Sequence, residues 1–130
     1  MFNYFLLDFK EENMSYFEKA NDLYNNKEYE KAIAAYKKAV EFSENTSASL
    51  YNIAVCFIKL NNYEKAIPLL KSAIKEKEDS RYFFNLGYCY AMLKDLKKAL
   101  IYFNTAWALD HEDYECEKAI NLIVNSYKSS

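Results

Sequence analysis

An eight-residue pattern occurs three times in the sequence at a nearly constant interval. Its copies begin at Asn26, Leu60 and Leu93, which are 34 and 33 residues apart. Each copy contains a tyrosine or leucine, two charged residues, an alanine and an aliphatic residue in the same order. An interval of this length indicates repeated helical units that stack to bury a shared core. The sequence therefore predicts a stacked array with one continuous core.

Residues of fixed size recur at other points of the repeat. With Ala32 defined as position 20, positions 8, 20 and 27 hold only alanine or glycine, whereas positions 4, 11 and 24 hold large residues. The small residues are Ala20, Ala32, Ala39, Ala54, Ala66, Ala73, Gly87, Ala99 and Ala106, and the large ones are Tyr16, Leu23, Tyr36, Leu50, Phe57, Leu70, Phe83, Tyr90 and Phe103. Small side chains let two antiparallel helices approach closely, and large ones fill the adjoining space. The pattern therefore predicts closely packed helix pairs.

This pattern resembles the tetratricopeptide repeat family over residues 13 to 111. The resemblance implies an all-α fold, an α-solenoid of antiparallel helix pairs that curves into a right-handed superhelix. We divide the chain into an amphipathic N-terminal segment (1–12), three repeats (13–46, 47–79 and 80–112) and a C-terminal capping helix (113–127). Six helices are expected in the repeats, over residues 13–26, 29–42, 47–60, 63–76, 80–93 and 96–109.

The composition of the chain argues against some classes of partner and favours one cellular compartment. Seventeen basic and 19 acidic residues are interspersed along the chain, which argues against a nucleic-acid partner. No apolar stretch approaches 18 residues, so neither a transmembrane helix nor a membrane partner is expected. The three cysteines are widely spaced and odd in number, which favours free thiols and a cytoplasmic location.

Residues able to perform chemistry are few and scattered. The single histidine, His111, has no evident partner in the sequence, and the single glycine, Gly87, excludes a glycine-rich phosphate loop. Cys56 and Cys89 both occupy position 10, which predicts buried thiols of low reactivity. We therefore expect no catalytic residue, no metal site, no cofactor and no enzymatic activity.

The family resemblance implies that the first helix of each repeat lines a concave groove. Five of the side chains expected there are aromatic, and aromatic side chains without packing partners mark recognition surfaces. We predict a protein-interaction module, an adaptor or scaffold that binds a peptide or helix in this groove. The alternative is a self-assembling structural homo-oligomer, such as a homodimer, mediated by the N-terminal segment or the terminal helix. The predicted peptide-binding residues are Phe17, Asn21, Tyr24, Tyr51, Asn52, Val55, Arg81, Phe84, Asn85 and Tyr88.

Some members of this family clamp the C-terminal carboxylate of heat-shock chaperones with asparagine and basic residues. This chain offers Asn21, Asn52 and Arg81 at the corresponding positions. It has Phe17 and Asn85 where two of the three cations would be. Because charge-assisted bonds supply most of the strength of such a site, the sequence favours a mostly apolar peptide instead, with Arg81 or Lys59 fixing one acidic group.

The N-terminal segment has an amphipathic pattern of its own. Phe2, Phe5, Leu6 and Phe9 recur at helical spacing, but a helix of this length is not stable alone in water. The segment is therefore expected to cap the first repeat, to occupy a groove of its own or of a neighbouring chain, or to be disordered. We expect it to control assembly or access to the groove.

Overall fold

A computed structural model describes residues 13–129. Within them the chain forms seven α-helices and no strand. The predicted all-α fold is confirmed, and the largest shift in a helix boundary is at the first helix, which begins at Tyr16 instead of residue 13. The helices are α1 (Tyr16–Asn25), α2 (Tyr29–Glu41), α3 (Thr46–Lys59), α4 (Tyr63–Glu76), α5 (Ser80–Met92), α6 (Leu96–Leu109) and α7 (Tyr114–Lys128).

Polar residues fix the points at which most of these helices begin. The side chains of Ser15, Asn62, Asp79, Asp95 and Asp113 each accept a hydrogen bond from a backbone N–H in the first turn of the following helix. Such caps satisfy N–H groups that have no partner within the helix.

The turn inside each repeat has the same backbone geometry in all three copies. Lys27, Asn61 and Lys94 share one repeat position, and their φ angles are 61°, 59° and 67°. This left-handed conformation is uncommon for residues other than glycine, although asparagine tolerates it well. The repeated turn reverses the chain, so that the two helices of a repeat pack side by side.

The small residues lie where the helices are closest. All eight alanines of the size pattern are fully buried, and Gly87 is buried with them. A Cβ atom at Gly87 would lie only 2.6 Å from Cδ1 of Phe103. The large residues of position 24, Tyr36, Leu70 and Phe103, fill the core beside them. The prediction that these positions hold the helix pairs together is confirmed.

The last helix closes the array. Helix α7 buries Cys116 and Ile123 and packs on α6, so the described helices fit three repeats and a capping helix. The boundaries assigned to the individual repeats stay a prediction. Residues 1–12 lie outside the described residues, and so does every expectation about their docking. None of the helices within 13–129 has both the length and the apolar character needed to cross a membrane.

Candidate functional site

An open groove lies across the first helices of the repeats, α1, α3 and α5. It has a volume of about 450 Å³. Six of the ten predicted binding residues line it, and Phe17, Asn21, Asn52 and Arg81 are not among the lining residues. The lining consists of Tyr24, Tyr51, Val55, Ile58, Lys59, Asn61, Tyr63, Phe84, Asn85 and Tyr88.

The aromatic rings of the predicted site are packed against other rings, which differs from the expectation that they lack partners. Each ring meets its neighbour in a stacked, tilted or edge-on contact, with centroids 4.7 to 6.1 Å apart. Such geometry stabilises aromatic pairs beyond the area that they bury. The pairs are Phe17–Tyr36, Tyr24–Tyr29, Tyr51–Tyr82, Tyr63–Tyr88 and Phe84–Phe103.

These contacts divide the groove into structural and accessible parts. Phe17, Tyr24, Tyr51 and Phe84 also pack against the buried clusters of the core. Val55 and Tyr88 belong to none of those clusters, and Tyr88 is 37% exposed. The apolar surface that a ligand can cover without disturbing the core is therefore centred on Val55 and Tyr88.

Two of the predicted asparagines lie beside the buried Tyr36 side chain. The hydroxyl group of Tyr36 donates a hydrogen bond to Oδ1 of Asn21. Burial raises the pKa of Tyr36 to about 12, and the nearby Asn52 side chain opposes that effect. Because a buried hydroxyl group needs a partner, Asn21 stabilises the packing of Tyr36.

Asn85 joins two predicted residues of α5 and α3. Its side-chain amide donates to the hydroxyl oxygen of Tyr51 at 3.0 Å and to the backbone carbonyl of Arg81 at 2.9 Å. Burial raises the pKa of Tyr51, and the positive charge of Arg81 opposes that effect. The Tyr51 side chain is thus held by α5, where Asn85 bonds its hydroxyl group and Tyr82 stacks on its ring.

The side chain of Arg81 is paired with Asp79, the residue that caps the start of the same helix, α5. Its Nε and Nη2 atoms lie 3.0 and 2.8 Å from the two carboxylate oxygens of Asp79, and its guanidinium group lies 5.7 Å from the centroid of the Tyr51 ring. These hydrogen bonds hold the pKa of Asp79 below its ordinary value. An acidic ligand group would have to compete with Asp79 for Arg81, whereas Lys59 has no such partner among the described residues.

Replacing Asp79 with asparagine tests this pair. The ion pair is partly exposed, so we expect the free energy of unfolding to fall by about 0.5–1 kcal/mol at pH 7. A carboxyl group with a lowered folded-state pKa stabilises the protein above its unfolded-state pKa, and this stabilisation is lost as the pH falls through the folded-state value. Urea unfolding should therefore show a difference between the two proteins that shrinks below about pH 4. Asparagine still caps helices well, so a difference that persists in acid would contradict the ion-pair explanation.

Sequence reasoning missed Asn61 and Tyr63 as part of the groove. Both lie at the end of the turn that leads into α4, where the Tyr63 hydroxyl group donates to Oδ1 of Asn61 at 3.1 Å. The signal was present, because Tyr63 is the aromatic residue at the fourth position of the repeated pattern.

The other candidate chemical groups are not arranged as a reaction centre. Burial raises the pKa of Cys56, Cys89 and Cys116 to about 12, so each thiol is protonated near neutral pH. His111 lies at the α6–α7 turn, where its ring meets Trp107 edge-on at 5.7 Å. Among residues 13–129, no three histidine, cysteine or acidic side chains are grouped so that they could hold a metal ion.

Two family models match the sequence. The model described as anaphase-promoting complex, cyclosome, subunit 3 matches residues 1–73, and the model described as tetratricopeptide repeat matches residues 57–113. The first covers more than half of the chain, and the two together extend over both halves of the array.

Two similar proteins are considerably longer than this chain. The chain is 28% identical over 86 residues to the Hsp70-Hsp90 organising protein of Plasmodium falciparum, a match that covers 66% of this chain and 14% of the relative. It is 31% identical over 96 residues to response regulator aspartate phosphatase I of Bacillus subtilis, which covers 65% of this chain and 25% of the relative. The chain thus spans a quarter or less of the length of these relatives.

Two solved structures have the same architecture. The first tetratricopeptide domain of Spaghetti (RPAP3), bound to the HSP90 peptide SRMEEVD, superposes with a TM-score of 0.82 at 18% identity, covering 87% of this chain and 90% of that one. YrrB, described as a tetratricopeptide protein with an unusual peptide-binding site, superposes with a TM-score of 0.78 at 26% identity, covering 90% of this chain and 63% of that one. At 18% identity, the first likeness establishes the fold alone.

Proposed function

We propose, on the premise that this chain belongs to the tetratricopeptide repeat family, that it is a protein-interaction module whose groove holds an apolar peptide or helix. The observation that carries this proposal is the accessible apolar surface around Val55 and Tyr88, which no buried cluster includes. Ordered rings bury a large area while few rotatable bonds become fixed, and this favours affinity. Lys59 at the edge of the groove orients one acidic group of the ligand.

The ligand chemistry differs from that of chaperone-tail clamps. The Spaghetti domain described above binds an HSP90 peptide rich in acidic residues, and such peptides need several cations. In this chain Phe17 packs on Tyr36 where the clamp has a lysine, and Asn85 is bonded to Tyr51 where it has a second cation. Arg81 is already paired with Asp79. An apolar sequence with a single acidic residue therefore fits the groove better than an acidic tail.

We assign the chain no catalytic role. One relative is named as a phosphatase, but the match covers a quarter of it. The thiols of Cys56, Cys89 and Cys116 are buried and protonated. The His111 ring lies against the Trp107 ring. A binding surface needs none of these groups, so the apolar groove accounts for the proposed function without them. A cytoplasmic location stays a prediction from the cysteine content.

Truncating Val55 and Tyr88 together to alanine tests the groove. We expect the affinity for a peptide selected from a random displayed library on the unmodified chain to fall about 10- to 100-fold, because central apolar contacts contribute about 2 kcal/mol or more. Fluorescence anisotropy with the labelled peptide measures this change. Neither side chain belongs to a core cluster, so the circular-dichroism spectrum should keep its shape. The unfolding midpoint should fall only slightly, through loss of the Tyr63–Tyr88 ring contact.

The matched control is Tyr114→Ala. Tyr114 is 74% exposed on α7 and does not line the groove, so its truncation should leave the affinity unchanged. Equal losses of peptide affinity in the Tyr114 variant and in the groove variant would show that exposed tyrosines bind the peptide non-specifically. Unchanged affinity in the groove variant would exclude the groove.

The alternative function, self-assembly into a structural homo-oligomer, needs an exposed apolar surface outside the groove. Ile101 of α6 and Leu122 of α7 are 60% and 72% exposed. Light scattering at several concentrations separates the alternatives, because a monomeric mass throughout is expected for the binding module. A dimer that persists in the Val55 and Tyr88 variant would favour assembly.

A further inference from the structure

We propose that a second binding site lies outside the groove and takes an acidic side chain of a partner protein. The site is the lysine–tyrosine cluster, which consists of Lys71 of α4, Tyr90 of α5, and Lys98 and Tyr102 of α6. None of these four residues lines the groove. The inference therefore goes beyond the proposed function, because the cluster is able to bind an anion whether or not the groove holds a peptide.

The two lysines of the cluster converge on one aromatic ring. The Nζ atoms of Lys71 and Lys98 lie 5.9 and 5.4 Å from the centroid of the Tyr90 ring. The Tyr102 ring stacks on the Tyr90 ring with a centroid distance of 5.5 Å and an interplanar angle of 6°. Both rings also pack against a buried core cluster, so core packing fixes the surface that the ammonium groups approach.

The positive charge of the cluster is only partly neutralised within the protein. Lys98 pairs with Asp95 at 3.9 Å, but both side chains are about half exposed, so this ion pair is weak. No ion pair among the described residues includes Lys71, and the neighbouring Tyr90 hydroxyl group raises the pKa of its ammonium group. With Asp95 set against the two lysines, one positive charge is left, which a single carboxylate group neutralises.

The cluster also offers the hydrogen-bond donors that a carboxylate group needs. Within residues 13–129, no oxygen atom accepts a hydrogen bond from the hydroxyl group of Tyr90 or of Tyr102. Ammonium and phenol groups both donate to carboxylate oxygens, and hydrogen bonds that involve charged groups are the strong ones. An acidic side chain therefore meets donors from three helices at this point of the surface.

The carboxylate group of a protein fits the cluster better than a nucleic acid does. Affinity for nucleic acid grows with the number of phosphates that lysine and arginine neutralise, and this cluster has two lysines, one of them paired. Glu64 and Glu76 lie at the two ends of α4. They would repel a phosphate backbone that followed this helix, whereas a single glutamate or aspartate side chain avoids them.

The preceding repeat supplies a matched control. Lys65 occupies the repeat position of Lys98, and its Nζ atom lies 5.8 Å from the centroid of the Phe57 ring, which occupies the repeat position of Tyr90. Phenylalanine has no hydroxyl group, and the described residues place no second ammonium group over the Phe57 ring. Binding that needs the complete cluster should therefore not depend on Lys65.

Titration of the full ¹⁵N-labelled chain with a synthetic peptide of six glutamate residues tests the site. We expect the largest amide shifts at Lys71, Tyr90 and Lys98. Replacing Lys71 with glutamine should weaken binding at least about fivefold, because it removes a charged donor, whereas Lys65→Gln should change the affinity by less than about twofold. Tyr90→Phe keeps the stacked ring but removes one hydroxyl donor, so it should weaken binding about threefold.

Several results would overturn the proposal. Equal losses of affinity in the Lys71 and Lys65 variants, or shifts spread over the lysines of all three repeats, would mean that the peptide only screens surface charge. Tighter binding of a single-stranded DNA of six nucleotides would assign the cluster to nucleic acid. The absence of shifts at millimolar peptide would leave the cluster without a carboxylate ligand.

The groove variant separates this site from the proposed function. Truncation of Val55 and Tyr88 to alanine should leave the affinity for the glutamate peptide unchanged, because neither residue belongs to the lysine–tyrosine cluster. A loss of affinity in that variant would place the glutamate peptide at Lys59 in the groove, and would overturn the second site. If the cluster fails while the selected peptide still binds through Val55 and Tyr88, the proposed function stands.

Discussion

Replacing Leu70 with alanine lowers the free energy of unfolding by about 2–5 kcal/mol, the range measured for buried leucines. Leu70 lies in α4, is fully buried, and contacts a cluster that contains Ala54, Leu86 and Cys89. Removing its side chain loses apolar burial and leaves a cavity between adjacent repeats. Urea unfolding followed by circular dichroism at 222 nm measures the effect.

The matched control for that substitution is Leu122→Ala. Leu122 also lies inside a helix but is 72% exposed, and exposed substitutions usually change stability by about 0.5 kcal/mol or less. Leu70→Ala is therefore expected to lower the free energy of unfolding much more than Leu122→Ala. Similar losses at Leu70 and Leu122 would contradict the burial that the repeat pattern assigns to position 24.

Replacing Gly87 with leucine should destabilise the protein by about 3 kcal/mol or more, because it overfills a tightly packed contact between α5 and α6. A Cβ atom alone would already lie 2.6 Å from Cδ1 and 2.7 Å from Cε1 of Phe103. The Phe103 ring is 3% exposed and also contacts Phe84, so it has little room to move. The gain in helix propensity, about 1 kcal/mol, does not compensate.

Ala34→Leu is the matched control for the glycine substitution. Ala34 lies on the exposed side of α2, where leucine adds no clash, so stability should change by about 0.5 kcal/mol or less. Adding Phe103→Ala to Gly87→Leu should recover part of the lost stability, since residues in contact are energetically coupled. If the losses of stability were strictly additive, the steric conflict of leucine at position 87 would not be with the Phe103 ring.

The positions of the helices could be predicted from the sequence because the determinants are local and repeated. Each small residue at positions 8, 20 and 27 marks a point where two helices touch, and residues such as Asn62 and Asp79 mark where a helix begins. The predicted start at residue 13 was wrong because Ser15 caps the helix that begins at Tyr16.

The details of the groove could be predicted only in part. Position in the repeat indicated that Tyr51, Phe84 and Tyr88 lie on one side of the array, but it does not specify which rings touch across repeats. Tyr51 stacks on Tyr82 of the next repeat and Phe84 packs on Phe103, contacts that depend on rotamers and on how the helices cross. The repeat register therefore locates a surface, while tertiary packing decides which of its residues are accessible.

The polar residues of the predicted site show the same limit. Asp79 caps α5, yet nothing in the repeat spacing indicated that the Arg81 side chain would fold back onto it. Asn21 was expected to face a ligand, but the buried hydroxyl group of Tyr36 uses it instead. A buried donor must find an acceptor nearby, and the sequence alone does not show which polar side chain supplies it.

Chemical-shift mapping of the ¹⁵N-labelled chain with a peptide selected from a random library tests the central claim, that the aromatic groove is the binding surface. The account predicts that the largest changes fall on Val55, Lys59 and Tyr88, with little change at Ile101 on the far helix of the third repeat. Changes confined to α6 and α7, with the amides of Val55 and Tyr88 unmoved at saturation, would contradict it.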